Sequence, residues 1–150
     1  MDDIDKKILN ILQNNYRISY KELGKKVKMA ASSVHNRVQR MLDEGVIKKE
    51  DTIINPIKAG FETVAILGLS VDPLKLSKVA EKIATYDRVQ LVGTTTGDHD
   101  VIASVIAEDE KSLWRFINEE IKTIDGVRSK MDVSSFIDIF KKTQKINFKP

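Results

Sequence analysis

The chain has 150 residues, 41% of them hydrophobic and 31% charged, which fits a folded globular protein and argues against a disordered one. That length serves one ordinary domain or two small ones, and small units bury little of their own surface, so association between copies is one remedy. No cysteine is present, which excludes a disulfide framework and a thiolate metal site. The acidic start, Met1-Asp2-Asp3-Ile4-Asp5, is unlike a secretory signal, and no apolar run is long enough to span a bilayer. The expectation is a cytoplasmic protein with no membrane partner.

The formal net charge of +3 is unevenly spread. Residues 1–54 carry 11 Lys/Arg against 8 Asp/Glu, whereas residues 55–150 carry 14 of each. Between residues 16 and 40, Arg17, Lys21, Lys25, Lys26, Lys28, Arg37 and Arg40 meet a single acid, Glu22. A solvated helical face accounts for such a run as well as a polyanionic partner does. The pattern of the segment has to decide.

Ile4, Ile8, Leu9, Ile11 and Leu12 recur at helical spacing and predict a helix over about Asp3–Gln13, capped by Asp2 or Asp3. Ser19, with Glu22 three residues on, reads as the capping box of a short second helix whose inner residues are Leu23 and Val27. Lys28-Met29-Ala30 is the turn. A third helix runs from about Ala31 to Glu44, with Val34, Val38, Met41 and Leu42 inside and Gly45 as its stop. Val46 opens a segment read as a strand to about Ile54. Short helix, tight turn and longer helix make a helix-turn-helix, whose second helix can enter the major groove of double-stranded DNA. The outer face of that helix carries Ser32, Ser33, His35, Asn36, Gln39 and Arg40, which can donate or accept at base edges and phosphates. Ser19 and Lys21 are counted with them at the start of the short helix. No acid stands between Glu22 and Asp43 to repel DNA.

Residues 48–60 read as a strand and hinge, with turn chemistry at Asn55-Pro56 and Gly60. Thr63–Val71 is an apolar, branched strand. Asp72-Pro73 starts a helix with Leu76, Val79, Ala80 and Ile83 inside. Val89–Thr96 and Asp100–Ala107 are strands joined by the turn at Thr96-Gly97-Asp98-His99. Asp109 caps a further helix, with Leu113, Phe116, Ile117, Ile121 and Ile124 inward. Val127–Phe140 is the last strand, after a turn at Asp125-Gly126. The order βαββαβ is the ferredoxin-like arrangement. The fold class is therefore α+β: a winged-helix-like helix-turn-helix over residues 1–47, and a βαββαβ domain over 61–140. A basic tail, 141–150, is expected to be mobile. Several strands are apolar on both faces, yet two helices cover only one, so a sheet-on-sheet homodimer is expected. Ala103 is a candidate for the open face.

The ordered set Ile4-Asp5-Lys6-Lys7-Ile8-Leu9, Arg17 to Leu23, Ser32 to Val38 and Gly45-Val46-Ile47 resembles the DNA-binding half of the Lrp/AsnC family of regulators. Ala30 and Gly24 depart from that family's usual Ser and Ala. Thr96-Gly97-Asp98-His99-Asp100 resembles its Gly-x-x-Asp hairpin. The resemblance covers about residues 2–140 and implies a transcriptional regulator responding to a free amino acid, assembled from dimers into higher oligomers such as octamers. It places Arg37 at a consistently basic position, a phosphate anchor or an internal brace.

An amino acid offers an ammonium group and a carboxylate. Asp98 and Asp100 suit the first, and Thr95, Thr96 and the amides beside Gly97 suit the second. The same residues also suit an ordinary hairpin. The resemblance favours the ligand, at loops between neighbouring dimers; His99 belongs to the loop, and Ser134 and Ser135 on the last strand are weaker candidates, contributed by an adjoining chain. No resident cofactor or metal is expected, because His35 and His99 sit in no ligand motif. An enzyme is disfavoured by the lack of a nucleophile–base pair or a phosphate loop. An RNA-recognition sheet is disfavoured because DVIASVIA holds no aromatic. A sensor that no longer binds DNA is disfavoured by the basic, acid-poor recognition helix.

Overall fold

A computed structural model describes residues 1–48 and 54–149. The chain forms two compact units: Met1–Thr52 with Lys141–Pro150, and Ile53–Phe140.

In the first unit, α1 spans Asp3–Leu12, α2 Tyr20–Val27 and α3 Ala31–Asp43. Asp2 caps α1, and its carboxylate and that of Asp5 accept reciprocally from each other's backbone N–H. Ser19 caps α2 by accepting from the Glu22 N–H at 3.2 Å. Ala30 precedes α3 with no side-chain cap. Ile8, Leu23 and Val34 are fully enclosed, and Leu9, Leu12, Val38 and Met41 complete the core. Two backbone features close the turn. Lys28 ends α2 with a left-handed φ of 56°, a conformation that costs most residues about 1 kcal/mol or more. Gly24 lies so close to the turn that a Cβ there would sit 2.6 Å from the Met29 carbonyl oxygen.

Two expectations need correction here. Val46 and Ile47 form a bend rather than the start of a strand. Ile47 donates back to the Met41 carbonyl, and that bond ties the chain to the end of α3. The rest of that expected strand, 49–53, lies outside the described residues. The tail expected to be mobile is docked on α1 through residues 145–148. Phe148 packs against the three-helix core. Apolar contact and amide pairing outweigh the charge of the preceding lysines.

In the second unit, β1 spans Thr63–Val71, α4 Leu76–Ala84, β2 Val89–Thr94, β3 Val101–Ala107, α5 Glu110–Phe116 and β4 Val127–Ser135. A 3₁₀ turn at Pro73–Lys75 leads into α4, and a π-helical turn at Ile117–Ile121 extends α5. The sheet order is β2-β3-β1-β4, antiparallel throughout. The last strand stops at Ser135 rather than Phe140. Its partner runs out there: Ala65 pairs with Ser135, the Phe136 N–H reaches the Val64 carbonyl, and β1 begins at Thr63.

Alternation sorts the strands into two faces. Ala65, Leu67, Leu69 and Val71 of β1, and Val101, Ala103, Val105 and Ala107 of β3, lie under α4 and α5 with Val79, Ile83, Leu113 and Ile121. The other face carries Ile66, Ile102 and Ile106, all half-buried, and Leu91, 59% exposed. Ala103 thus belongs to the covered core and not to the open face, because it pairs with Leu67 in register. Ala103→Asp should therefore abolish folding of this unit in chemical denaturation, since an unpaired carboxylate there costs several kcal/mol or more. A variant as stable as the parent would show that the helices do not cover this strand.

Candidate nucleic-acid interface and effector hairpin

The core residues of α3 turn the opposite face outward. Ser32, His35, Asn36 and Gln39 are exposed and Ser33 is half-buried. The Tyr20 ring meets His35 edge-on, with centroids 5.0 Å apart, so α2 steadies that imidazole. Gln39 donates to Asp43 at 2.9 Å. Lys21, Lys25, Lys26 and Lys28 are exposed on and just after α2. The uncapped start of α3 leaves backbone donors beside this face, a setting that favours anions.

Arg37 and Arg40 are occupied differently. Arg37 Nη1 donates to Asp2 at 2.7 Å and to Asp5 at 2.8 Å, and Arg40 Nη2 donates to Asp5 at 2.7 Å. Asp5 is only 1% exposed. Arg40 is therefore not simply an outward, base-reading side chain; it ties α3 to α1, and Arg37 braces the domain. Burial pushes the Asp5 carboxyl up, but the Asp2 N–H and both guanidiniums hold it below the usual carboxylate range. The Asp5 N–H, followed by Arg37, lowers the Asp2 carboxyl to about 2. Asp2, Asp5 and Tyr20 were not among the residues expected at this site. The signal for the first two lay in two acids at a helix start and two arginines three residues apart on α3.

In the second unit, Thr95–Asp100 forms the loop between β2 and β3. Its residues divide by task. Asp100 Oδ2 accepts from the Val71 N–H at 2.8 Å, and the Asp100 N–H donates to the Leu69 carbonyl. That carboxylate fastens the loop to β1. The Thr95 hydroxyl donates to the His99 carbonyl. The His99 ring lies over Gly68, where a Cβ would come within 2.5 Å of it, and its Nε2 stands 3.4 Å from Asp132. Thr96, Gly97 and Asp98 are exposed. Gly97 needs neither a positive φ nor a close approach here, since an added Cβ would meet nothing within 4 Å. Ser134 pairs with Ile66 on the open face, whereas Ser135 pairs with Ala65 on the helix side. The structure thus brings Thr95–Asp100 together and separates the two serines by face. Ser135 instead lines a groove of about 440 Å³ with Trp114, Met131 and Val133. Among the described residues, no His/Asp/Glu group could hold a metal ion, and no helix is long and apolar enough to cross a membrane.

Helix-turn-helix head and ferredoxin-like sheet define the class: a two-unit DNA-binding regulator. Comparisons agree with it. Residues 1–48 match the model for winged helix-turn-helix DNA-binding domains, and residues 64–146 match the Lrp/AsnC ligand-binding domain. The chain is 40% identical over 129 residues to the HTH-type transcriptional regulator PH0140 of Pyrococcus horikoshii, covering 86% of this chain and 82% of that one. It is 38% identical over 127 residues to the HTH-type transcriptional regulator Ptr1 of Methanocaldococcus jannaschii, covering 85% and 86%. The fold of E. coli AsnC superimposes with a TM-score of 0.90, at 22% identity over 98% of both chains. That of the regulator NMB0573 from Neisseria meningitidis, solved as a complex with L-Met, gives 0.85 at 22% identity, over 97% of this chain and 96% of that one. The chain belongs to the Lrp/AsnC family and is a DNA-binding transcriptional regulator. Family and relatives alike are regulators rather than enzymes.

Asp2 and Asp5 both have folded-state values below their unfolded ones. The stability they contribute is present above about pH 4 and is lost as pH falls through the folded values. The head should therefore loosen on acidification below about pH 4, while Asp5→Ala should cost it about 2–4 kcal/mol at neutral pH by removing the buried carboxylate that joins both guanidiniums to α1, leaving Arg37 with Asp2 alone. Thermal melts from pH 7 to pH 2 check both. A variant whose melting matches the parent at every pH would show that the cluster holds nothing.

Proposed function

We propose that α3 reads a specific DNA sequence with Ser32, Ser33, His35, Asn36 and Gln39, while Ser19, Lys21 and the other lysines of α2 hold phosphates. The observation that carries this reading is the exposed face of α3, free of acids until Asp43 and opened by an uncapped helix start. Arg37 and Arg40 set that face in place; Arg40, 47% exposed, also has a side open to a phosphate. The protein works in the cytoplasm as a homodimer paired through the open sheet face around Ile66, Ile102 and Ile106, and the dimers gather into octamers.

The effector in this reading is a free amino acid bound at the loop Thr95–Asp100, with Ser134 on the same face. Support comes from the match to the ligand-binding domain and from the L-Met held by the Neisseria protein. Within the loop, Asp98 is the better ammonium partner, because Asp100 already spends one oxygen on the Val71 N–H. The ligand acts by favouring one assembly over another, and so alters the spacing of the DNA-binding heads.

Selection of duplexes from a random library tests the first half. Asn36→Ala should cost about 1–3 kcal/mol on the selected duplex and relax preference at one position, and affinity should fall steeply with salt. Unchanged affinity on Ser33→Ala, Asn36→Ala and Gln39→Ala together would put the wrong helix in the groove. Calorimetry against the twenty amino acids tests the second half: Asp98→Asn should weaken the best binder while leaving the melting temperature in place. Binding indifferent to both Asp98→Asn and Asp100→Asn would move the site elsewhere.

A further inference from the structure

The end of the chain is read by α1 in an unusual way. The Asn10 side-chain amide donates to the Phe148 carbonyl at 2.9 Å and accepts from its N–H at 3.3 Å. The Gln13 amide does the same for Ile146, at 2.9 Å and 2.7 Å. Each amide thus imitates a neighbouring strand's peptide group, and the two of them read alternate residues along one edge of an extended segment. Lys145 Nζ donates to Asn14 at 3.0 Å, just past the end of α1. Phe148 adds apolar contact with the core of the head, whereas Ile146 stays 61% exposed. Backbone recognition, one aromatic anchor and one charged contact are the parts of a peptide-docking site.

α1 also holds Asp2 and Asp5 at its opposite end, and these grip Arg37 and Arg40 of α3. A ten-residue helix is a rod about 15 Å long. What fixes its last turn therefore bears on the helix that faces DNA.

We propose that α1 carries a docking site for an extended segment, that its occupant is residues 145–148 of the same chain, and that occupancy sets how firmly the head holds DNA. Reach supports the choice of occupant. Only residues 136–144 separate the end of β4 from the first docked residue, a span of roughly 35 Å at full extension. The docked segment is then a second covalent tie on the head, beside the one through residues 49–53. The proposal is independent of what the loop at Thr95–Asp100 binds.

Three forms of the full protein test it: a chain ending at Gln144, the double substitution Asn10→Ala with Gln13→Ala, and the two combined. The probe is the duplex that the unaltered chain selects from a random library. Each change should weaken binding about tenfold, and the combination should weaken it no further, because both remove one contact. The salt dependence should stay as steep as before, since no phosphate contact is lost. Hydrogen exchange on the unaltered chain should show the Ile146 and Phe148 amides protected, and the double substitution should release them. The amide variant keeps Phe148 and alters only half-buried polar side chains, so it serves if the shortened chain does not fold. Unprotected amides, unchanged DNA affinity or additive losses would overturn the proposal. A shallower salt dependence in the shortened chain would make the tail a DNA-binding arm instead. Protection that rises with protein concentration would give the site to a second copy.

Discussion

Asp5 is the one ionisable group among the described residues that folding takes almost wholly out of water. A buried carboxylate is costly unless its oxygens are met by donors. Here they meet the Asp2 N–H and the guanidiniums of Arg37 and Arg40. Those arginines stand three residues apart, on one side of α3. Pulling both toward α1 fixes the rotation of α3 about its own axis. That rotation agrees with the packing of Val34, Val38 and Met41 in the core, which turns Ser32, His35, Asn36 and Gln39 outward. The outward face of α3 is thus held by a buried charge as well as by apolar packing.

The sheet of the second unit is governed by a different constraint: two helices reach one side of it. Small and branched residues alternate down β3 so that Val101, Ala103, Val105 and Ala107 vanish beneath them. The intervening Ile102 and Ile106 have no such cover, and Leu91 beside them has less. Gly68 sits in the middle of β1 on that same open side, and the missing Cβ makes room for the His99 ring. A glycine inside an apolar strand commonly marks such a close approach.

Periodicity made most of this legible. The three head helices, β1 and the turns at Gly45 and Asp125-Gly126 follow from apolar spacing and turn chemistry. The sequence could not say which side of each strand faces the helices, because β1 and β3 are apolar on both; only register assigns Ala103 to the core. Nor could it show that β4 would outrun its partner at Thr63. The docked tail was hidden because backbone and amide groups and a single aromatic, Phe148, attach it, and these leave no hydrophobic periodicity. Arg40 read as a groove residue because its partner lies 35 positions away. Gly24 departs from the family's usual Ala, which propensity alone would favour there by about 1 kcal/mol. The Met29 carbonyl, 2.6 Å from where that methyl would stand, argues for the glycine.

The loop at Thr95–Asp100, proposed above as the effector site, also does structural work on the sheet. Asp100 is bonded to β1 at Leu69 and Val71, the point where the register between β1 and β4 shifts. His99 rests on Gly68 and faces Asp132 of β4. The loop is thus fastened to two strands of the open sheet face, while Asp98 at its tip is fastened to neither and stands in solvent. In the proposed reading, a ligand gripping the tip would pull on joints that belong to that face. Such a pull changes an assembly only to the extent that one packing of the face suits the gripped loop better than another. A loop with no ties to the sheet would bind the same ligand and pass nothing on. In the proposed reading, Asp100, already bonded to β1, is the carboxylate through which a pull on the tip would reach the sheet.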